Sequence, residues 1–382
     1  MTARLISRLE AIAAVLLKGK LSIRFDGIQL CFEKVPLRKA LNWILLEASF
    51  RLKVLRPWGL PTHLQIEPSS ICNLRCPACR VVTGLGRRGG LMKLELFKKI
   101  IDQTDASAFL ISLWGWGEPF LNPHIFDMIA YAKTRGIQLI CSTNGHFLKE
   151  PGQVERLVDS GLDVLIVAVD GATQDTYALY RRPGRLSDVL EGVRKLAEQK
   201  RIRKSRTPLI NLRMVVMRQN ENQIASMIEL ARSHGADMLS LKTMNPLSED
   251  PYSLDRTPPS DLEDHFVPTD PKHRRFEYTG NRMIRIRLKK NPCKRLWNNP
   301  KILDDGTVCT CTCDVAGRFK MGNLEVQSLK DIWESGRYRA ARARFRRDWE
   351  SMQPCCTCTY AYKGGSCIDE IISGVVFFQQ PI

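Results

Sequence analysis

Three cysteines, Cys72, Cys76 and Cys79, lie within eight residues of one another, directly after a short apolar run that begins at His63. A single zinc ion would need a fourth ligand, and no histidine lies beside the three thiols. Cys76-Pro-Ala-Cys79 taken alone could instead act as a redox dithiol. Three thiolates on a four-iron cluster leave one iron open for a chelating cofactor, which is a catalytic arrangement. The spacing therefore favours an iron–sulfur centre, with zinc and a redox pair as the alternatives.

Further polar or turn-forming residues follow the ends of later apolar runs. They are Gly117, Glu118, Pro119, Ser142, Asn144, Asp170 and Arg181. Each of these segments, taken alone, could equally be an ordinary turn. Cys141 directly precedes Ser142, so it is a candidate hydrogen-atom donor if it faces a cavity, and a small buried core thiol otherwise.

Alternating strand and helix patterns position these residues. Between His63 and about Met244, six short apolar runs are typical of buried parallel strands, with helical stretches between them. Six βα units in a row predict an α/β fold, either a full or partial barrel or an open parallel sheet. In each case the site is expected at the carboxyl ends of the strands.

The flanking segments differ from this pattern. An amphipathic helix at the N-terminus is followed by two alternating strands around Asp26-Gly27, a pair suited to a type I′ hairpin turn. A second helix is predicted from Leu37 to about Leu55. Residues 245–290 are rich in proline and charge and predict a linker with little regular structure. Near the C-terminus, Ser328 and Asp331 have the spacing of a helix cap, and a strongly basic helix follows.

Composition limits the classes of function. The chain has 382 residues, 13 of them cysteine, and a net charge of +18. Clustered cysteines without an export signal indicate a reducing, cytoplasmic location, and no apolar run approaches the roughly 18 residues of a membrane span. The basic charge suits nucleic acid, anionic lipid or an acidic protein. Peripheral membrane contact through Arg4, Arg8 and Lys18 is one expectation, with packing of the N-terminal helix against the barrel as its alternative.

The motif C-x3-C-x2-C after the first strand of a βα array resembles the radical S-adenosylmethionine superfamily over roughly residues 63–370. The resemblance implies a [4Fe–4S] cluster on Cys72, Cys76 and Cys79, and an S-adenosylmethionine bound to its open iron. Reductive cleavage then gives a 5′-deoxyadenosyl radical that abstracts a substrate hydrogen. It also implies cofactor contacts from the GEP segment (Gly117, Glu118, Pro119) and from the strand-end residues Ser142, Asn144, Asp170 and Arg181. Three positions depart from the family pattern: Ala78, Trp116 and Ala168, the last of which lacks a common serine hydroxyl.

The second cysteine group resembles the SPASM or twitch module, which carries an auxiliary iron–sulfur centre. Cys293, Gly306 and Cys311 match its C-x9-15-G-x4-C element, and Cys355-x2-Cys358 follows downstream. The resemblance implies one auxiliary [4Fe–4S] cluster on Cys293, Cys311, Cys355 and Cys358. The remaining cysteines of this region would serve a second auxiliary cluster in an alternative reading: Cys309, Cys313, Cys356 and Cys367. Without the upstream array, a zinc ribbon would be the simpler interpretation.

Together these features predict a partial (β/α)6 TIM-like barrel with a small C-terminal cysteine-rich auxiliary-cluster domain. The predicted divisions are an N-terminal extension (1–62), the barrel (63–244), the linker (245–290), the auxiliary domain (291–370) and a tail (371–382). The predicted function is radical oxidation, epimerisation or cross-linking, favoured on a peptide or protein, with electrons from a reductant such as flavodoxin or ferredoxin. A carbohydrate or lipid-linked small molecule is the alternative substrate. A zinc-dependent nucleic-acid-binding protein is the alternative class, although no recognition helix or RNP-like aromatic strand is evident.

Overall fold

The computed structural model describes residues 2–83, 89–244, 265–274, 277–279, 282–284, 288–291, 293–314, 316–361 and 370–373. The helices in this part of the chain are α1 (Thr2–Lys18), α2 (Leu37–Arg51), α3 (Arg80–Thr83), α4 (Leu94–Thr104), α5 (Ile125–Thr134), α6 (Gln153–Asp159), α7 (Gln174–Tyr180), α8 (Leu186–Ile202), α9 (Ile224–Ser233), α10 (Arg295–Asn298), α11 (Leu329–Trp333) and α12 (Gly336–Asp348). The strands are β1 (Leu21–Phe25), β2 (Ile28–Phe32), β3 (His63–Ile66), β4 (Leu110–Leu113), β5 (Gln138–Thr143), β6 (Val164–Ala168), β7 (Leu209–Val216), β8 (Met238–Thr243), β9 (Glu277–Thr279), β10 (Arg282–Ile284), β11 (Lys301–Ile302), β12 (Thr307–Cys309), β13 (Lys320–Asn323) and β14 (Glu370–Ser373).

Six parallel strands, β3 to β8, lie side by side in chain order and form the centre of the molecule. Successive side chains of a strand point to opposite faces of the sheet. On β7, Ile210, Leu212 and Met214 pack into the main core with the helices, while Asn211 and Arg213 face the other way. The six predicted parallel strands are therefore confirmed, and the sheet has a helix-covered outer face and a more polar inner face.

The C-terminal module extends the same sheet. β11 pairs in parallel with β3, Lys301 opposite Gln65, and β12 and β13 continue outward as antiparallel strands. At the other edge, β14 pairs antiparallel with β8. The sheet has ten strands and is open at β13 and β14, so the six parallel strands form the predicted partial barrel.

The N-terminal extension covers the end of the barrel where the strands begin. Asp26 and Gly27 have φ values of 51° and 83°, as the predicted type I′ turn between β1 and β2 requires. The hairpin packs on residues that start barrel strands, including Leu110, Val164 and Met238. The extension therefore lies at the end opposite the strand ends from which the predicted site residues follow.

Two sequence predictions need amendment. The segment 245–290 was expected to have little regular structure, but its described part contains the antiparallel pair β9 and β10 and a 3-10 turn at Pro271–His273. Helix α2 ends at Arg51, about a turn earlier than expected, and the chain continues through an αR residue at Leu52. Residues 245–264 and the tail beyond Ser373 lie outside the described residues.

Candidate functional site

The first cysteine loop leaves β3 and folds back over the carboxyl ends of the strands. Cys76 is buried and Cys72 and Cys79 are half-buried. A turn joins them, with the Cys79 amide donating to the Cys76 carbonyl at 3.0 Å. Burial, together with the neighbouring Cys76 and Cys72 thiols, raises the pKa of the Cys79 thiol to about 11. Three crowded sulfurs of this kind ionise together only where a bound cation compensates their charge, so the set fits a cationic metal cluster.

Two predicted residues, one after β5 and one at the end of α7, reach the sulfurs. The Asn144 side-chain amide donates to Cys72 Sγ at 3.8 Å and to Asn73 Oδ1 at 2.7 Å. Arg181 Nη1 lies 4.0 Å from Cys76 Sγ. Burial raises the pKa of the Cys76 thiol, and the Arg181 guanidinium opposes that rise. Hydrogen bonds and positive charge at the sulfurs favour the thiolate form that a cluster requires.

Asp170 orients Arg181. Its carboxylate is fully buried, accepts from Arg181 Nε at 2.6 Å, and accepts from the Val215 amide at 2.7 Å. Asn220 donates to the Asp170 carbonyl at 2.9 Å. Asp170 therefore ties the end of β6 to β7 and holds the guanidinium beside the cysteine loop, which makes it a positioning residue.

The GEP segment is pressed against the cysteine loop. The Glu118 amide donates to the Ile71 carbonyl at 2.8 Å. A Cβ atom on Gly117 would lie 2.4 Å from the Ser69 carbonyl oxygen, which only glycine avoids. Pro119 opens a single 3-10 turn. The segment therefore has a packing requirement of its own, beyond that of a solvent-exposed turn.

Glu118 itself is buried and well supplied with donors. Its carboxylate accepts from the Thr143 hydroxyl at 2.7 Å, the Asn144 amide at 2.8 Å and the Phe120 amide at 3.2 Å. Burial raises the pKa of the carboxyl group, and these hydrogen bonds oppose the rise. A carboxylate offers about four acceptor sites, so one remains for a further donor such as an ammonium group.

We predict that Glu118→Gln weakens S-adenosylmethionine binding and lowers the melting temperature together. An amide cannot accept from all three donors, and it lacks the negative charge that attracts an ammonium group. The binding free energy should therefore fall by about 1.5–3 kcal/mol, which raises Kd by roughly ten- to a hundredfold. Equilibrium binding and thermal unfolding of reconstituted protein would measure the two effects, with the exposed Glu150→Gln as the matched control. A lower melting temperature with an unchanged Kd would mean that Glu118 only holds the loop.

The predicted positions differ in where the structure places them. Ser142 is half-buried on β5, with the opposite parity to Cys141. Cys141 is fully buried in the core with Leu139 and Leu165, on the helix side, and its thiol donates to the Leu113 carbonyl at 3.1 Å. This placement favours the core alternative for Cys141 over a role as a hydrogen-atom donor. Thr143, whose hydroxyl binds Glu118, was missed, although it lies within the segment that the motif covers.

The second cysteine group lines one pocket of the C-terminal module. The five thiols are those of Cys293, Cys311, Cys313, Cys355 and Cys358, and the other lining residues are Asn291, Arg295, Leu296, Phe345 and Pro354. The four predicted ligands therefore come together, and Cys313 joins them. Hydrogen bonds from Cys311 and Cys358 lower the pKa of Cys313 well below its usual value. Five thiols around one pocket are a donor set suited to a thiolate-held iron–sulfur cluster.

The cysteines of the alternative second cluster do not gather in the same way. Cys309 and Cys356 are buried but do not line this pocket, and Cys313 belongs to the first set. Cys367 lies outside the described residues. Among the described residues, no three histidine, cysteine or acidic side chains are arranged around a single metal ion.

Comparison with protein families finds two matches in the same order as the two cysteine groups. Residues 66–231 match the radical SAM superfamily, and residues 293–359 match SPASM, an iron-sulfur cluster-binding domain. The iron–sulfur domain match overturns the zinc-ribbon interpretation and the zinc-dependent nucleic-acid-binding alternative built on it.

Three curated relatives show how far the similarity extends. An AdoMet-dependent heme synthase of Methanosarcina barkeri is 28% identical over 53% of this chain and 56% of its own. A tungsten-containing aldehyde ferredoxin oxidoreductase cofactor-modifying protein of Pyrococcus furiosus is 26% identical over 72% of this chain and 82% of its own. The PqqA peptide cyclase of Gluconobacter oxydans is 28% identical over 47% and 49%. The chain thus spans about half the length of two of the three.

Solved structures share the fold. SuiB of Streptococcus suis, in a crystal structure bound to its precursor peptide SuiA, superposes with a TM-score of 0.57. It is 15% identical, and the match covers 80% of this chain and 71% of SuiB. At this level of identity the likeness shows a shared fold alone.

Proposed function

The chain carries a radical SAM domain and a C-terminal SPASM iron–sulfur domain, and on this premise we propose that it abstracts a hydrogen atom from a peptide or protein substrate. The domains make it an enzyme that uses a [4Fe–4S] cluster, S-adenosylmethionine and an auxiliary iron–sulfur centre. The observation that carries the radical chemistry is the meeting of three thiols, Asn144 and Arg181 at the carboxyl ends of the barrel strands. The similarity to a PqqA peptide cyclase supports a peptide as the substrate. Oxidation, epimerisation or cross-linking would follow from the abstraction.

When bound, the cluster and S-adenosylmethionine supply a 5′-deoxyadenosyl radical after one-electron reduction. Cys72, Cys76 and Cys79 would hold that cluster. Asn144 and Arg181 place an amide and a positive charge against two of the sulfurs, which influences the reduction potential. Asp170 keeps Arg181 in place, and Glu118 fixes the neighbouring loop to the end of β5. The buried hydrogen-bond network thus prepares the site before any substrate arrives.

The electron donor is proposed to be an acidic protein such as flavodoxin or ferredoxin. A chain with a net charge of +18 attracts a negatively charged partner, and the attraction raises the rate of association. The rate of reduction by such a protein should therefore fall as the salt concentration rises.

Isotope transfer tests both the reaction and the class of substrate. Cells of the source organism are grown in deuterated medium and their extract is divided into peptide and protein, small-molecule and lipid fractions. Each fraction is incubated with anaerobically reconstituted, dithionite-reduced enzyme and S-adenosylmethionine. Deuterium in 5′-deoxyadenosine with the peptide and protein fraction supports the proposal. Deuterium with the small-molecule or lipid fraction alone favours a carbohydrate or lipid-linked substrate, and absence of 5′-deoxyadenosine contradicts radical generation.

The proposal extends to contact with a membrane surface. Helices α1 and α2 contact each other and leave leucines on the outside: Leu17 is 83% exposed, Leu37 63% and Leu41 47%. Lys18 and Lys34 are exposed beside them. Adjacent exposed leucines and cations suit the surface of an anionic bilayer. No helix in the described part of the chain is both long and apolar enough to cross a membrane.

We predict that the protein sediments with vesicles containing phosphatidylserine at low salt, and that Leu37→Gln/Leu41→Gln reduces the bound fraction by about tenfold. The reason is that each leucine loses roughly 1 kcal/mol or more of apolar transfer energy. Val326→Gln, at an 82% exposed residue on another surface, is the control that should leave binding unchanged. If the wild type, the double leucine variant and Val326→Gln sedimented equally, or if the wild type did not sediment at all, α1 and α2 would serve only to pack against the rest of the protein.

A further inference from the structure

The inner face of the barrel contains two buried donors that have no acceptor. Arg213 and Asn211 both project from β7 to this face, and Arg213 Nη2 and Asn211 Nδ2 make no hydrogen bond. Arg213 is 7% exposed and Asn211 is fully buried. A buried N–H group without an acceptor costs about 1–3 kcal/mol. Two such groups on one strand therefore indicate a binding position where the acceptor atoms of a ligand would satisfy both donors.

The other hydrogen bonds of these residues hold the two donors in fixed positions. Arg213 Nε donates to Ser240 Oγ at 3.1 Å, and Ser240 Oγ donates to Asn211 Oδ1 at 3.0 Å. Arg213 Nη1 pairs with the Asp26 carboxylate at 2.6 Å. The network runs from the N-terminal hairpin to β7 and β8, so the free Nη2 and Nδ2 atoms are preset without any ligand.

Arg213 and Asn211 form the floor of the inner face, and residues nearer the carboxyl ends of β7 and β8 are less buried. Val215 and Lys242, which pair with each other above the network, are half-buried. Ala168, which pairs with Arg213 on the adjacent strand β6, is half-buried too. The outer-face neighbours Met214 and Leu241 are fully or almost fully buried. Val215 is two residues above Arg213, about 7 Å along the strand, and its amide binds Asp170. A ligand on this floor would therefore lie directly below the cofactor end of the barrel.

The charges favour an anion. Arg213 and Lys242 supply two positive charges on adjacent strands, and Asp26 neutralises one of them. A carboxylate could accept from both Arg213 Nη2 and Asn211 Nδ2, as charge-assisted hydrogen bonds. We propose that Arg213 and Asn211 form a subsite for a carboxylate of the substrate, oriented by Asp26 of the hairpin. The inference rests on the proposed function and narrows it to substrates with a carboxylate, such as an acidic side chain or the C-terminus of a peptide.

The network also gives the N-terminal hairpin a role in the site. Asp26 occupies the first central position of the β1–β2 turn at a φ of 51°, and this conformation directs the turn toward β7. Its carboxylate is only 12% exposed, so it would be costly to bury without Arg213. The hairpin therefore closes the base of the barrel and fixes the guanidinium.

Binding of a small carboxylate to the reconstituted protein tests the subsite without any turnover. The probe is ¹³C-labelled acetate, measured by line broadening, with acetamide and inorganic phosphate as comparison ligands. Wild type should bind acetate more tightly than either. Arg213→Gln should weaken acetate binding by about tenfold or more, because the charged donor is lost.

Matched variants separate binding from folding. Asp26→Asn/Arg213→Gln removes both charges, so it should fold as wild type does and still fail to bind acetate. Asp26→Asn alone keeps the guanidinium and should retain binding. Lys133→Gln, in a partly buried ion pair with Asp163 on another part of the barrel, should leave binding unchanged.

Three results would overturn the proposal: no saturable acetate binding by wild type, unchanged binding in the folded double variant, or acetamide or phosphate binding as tightly as acetate. Because the measurement needs no radical chemistry, failure of the isotope-transfer experiment would leave its outcome intact, and the reverse also holds.

Discussion

Replacing Cys72, Cys76 or Cys79 singly with alanine abolishes the formation of 5′-deoxyadenosine, while the fold and the C-terminal cluster remain. The three thiols lie on one loop, and none of them contributes to the C-terminal pocket. With one thiolate missing, the cluster that must keep an open iron loses one of its three protein ligands. The measurement is 5′-deoxyadenosine formed by anaerobically reconstituted, dithionite-reduced protein, together with circular dichroism for the fold.

Two other cysteines are the controls. Cys31→Ala alters a half-buried thiol on the N-terminal hairpin, and Cys141→Ala alters a thiol on the helix side of β5. Both variants should form 5′-deoxyadenosine. Wild-type rates in any of the three loop variants would remove the central claim.

A protein with all three loop cysteines replaced by alanine should still contain about four irons and four sulfides per chain, because one auxiliary cluster is saturated by four thiolates. The predicted ligands Cys293, Cys311, Cys355 and Cys358 all line the pocket of the C-terminal module and would supply those thiolates. Four ligands leave no open iron, so this cluster would serve electron transfer or structure and would not bind S-adenosylmethionine. Iron and acid-labile sulfide analysis of the triple variant, with electron paramagnetic resonance of the reduced form, measures the result.

Cys313, the fifth thiol of the pocket, allows a test of which four cysteines are the ligands. In the triple-variant background, Cys313→Ala should keep about four irons, whereas Cys355→Ala should lose them, because a cluster with four protein ligands depends on each one. Loss of iron in Cys313→Ala would make Cys313 a ligand in place of one of the predicted four. Eight irons in the triple variant would mean a second auxiliary cluster, and none in a folded protein would mean that the module holds no iron.

Periodicity was enough to predict the barrel strands, and cysteine spacing was enough to mark the two cysteine groups. Strands β3 to β8 are short apolar runs buried on both faces, a strong pattern in any sequence. The loop thiols are close in sequence, so their proximity needs no knowledge of the fold. The resemblance to the family added Glu118, Asn144 and Arg181, which the residues alone left as turns.

What the sequence could not supply is contact between distant segments. The Asp26–Arg213 pair joins residues 187 positions apart, and nothing local marks either one. The sequence likewise does not show which face of β5 the Cys141 side chain occupies, because a strand that is buried on both faces has no alternation of polar and apolar residues. Cys313 differs from Cys309 and Cys356 only by where the turns after β12 place it, a detail that spacing rules do not reach.

Strand pairing between β3 and β11 joins the two iron–sulfur modules in one continuous sheet. The amides of Gln65 and Glu67 donate to the carbonyls of Pro300 and Ile302, so the strand leading into the Cys72 loop is clamped by the segment that follows Cys293. In a protein that ended before residue 291, β3 would be an exposed edge strand with unpaired backbone groups, and such edges promote aggregation. Damage to the auxiliary centre, for example by oxygen, would therefore weaken the strand pairing that positions the Cys72 loop and the cluster it holds.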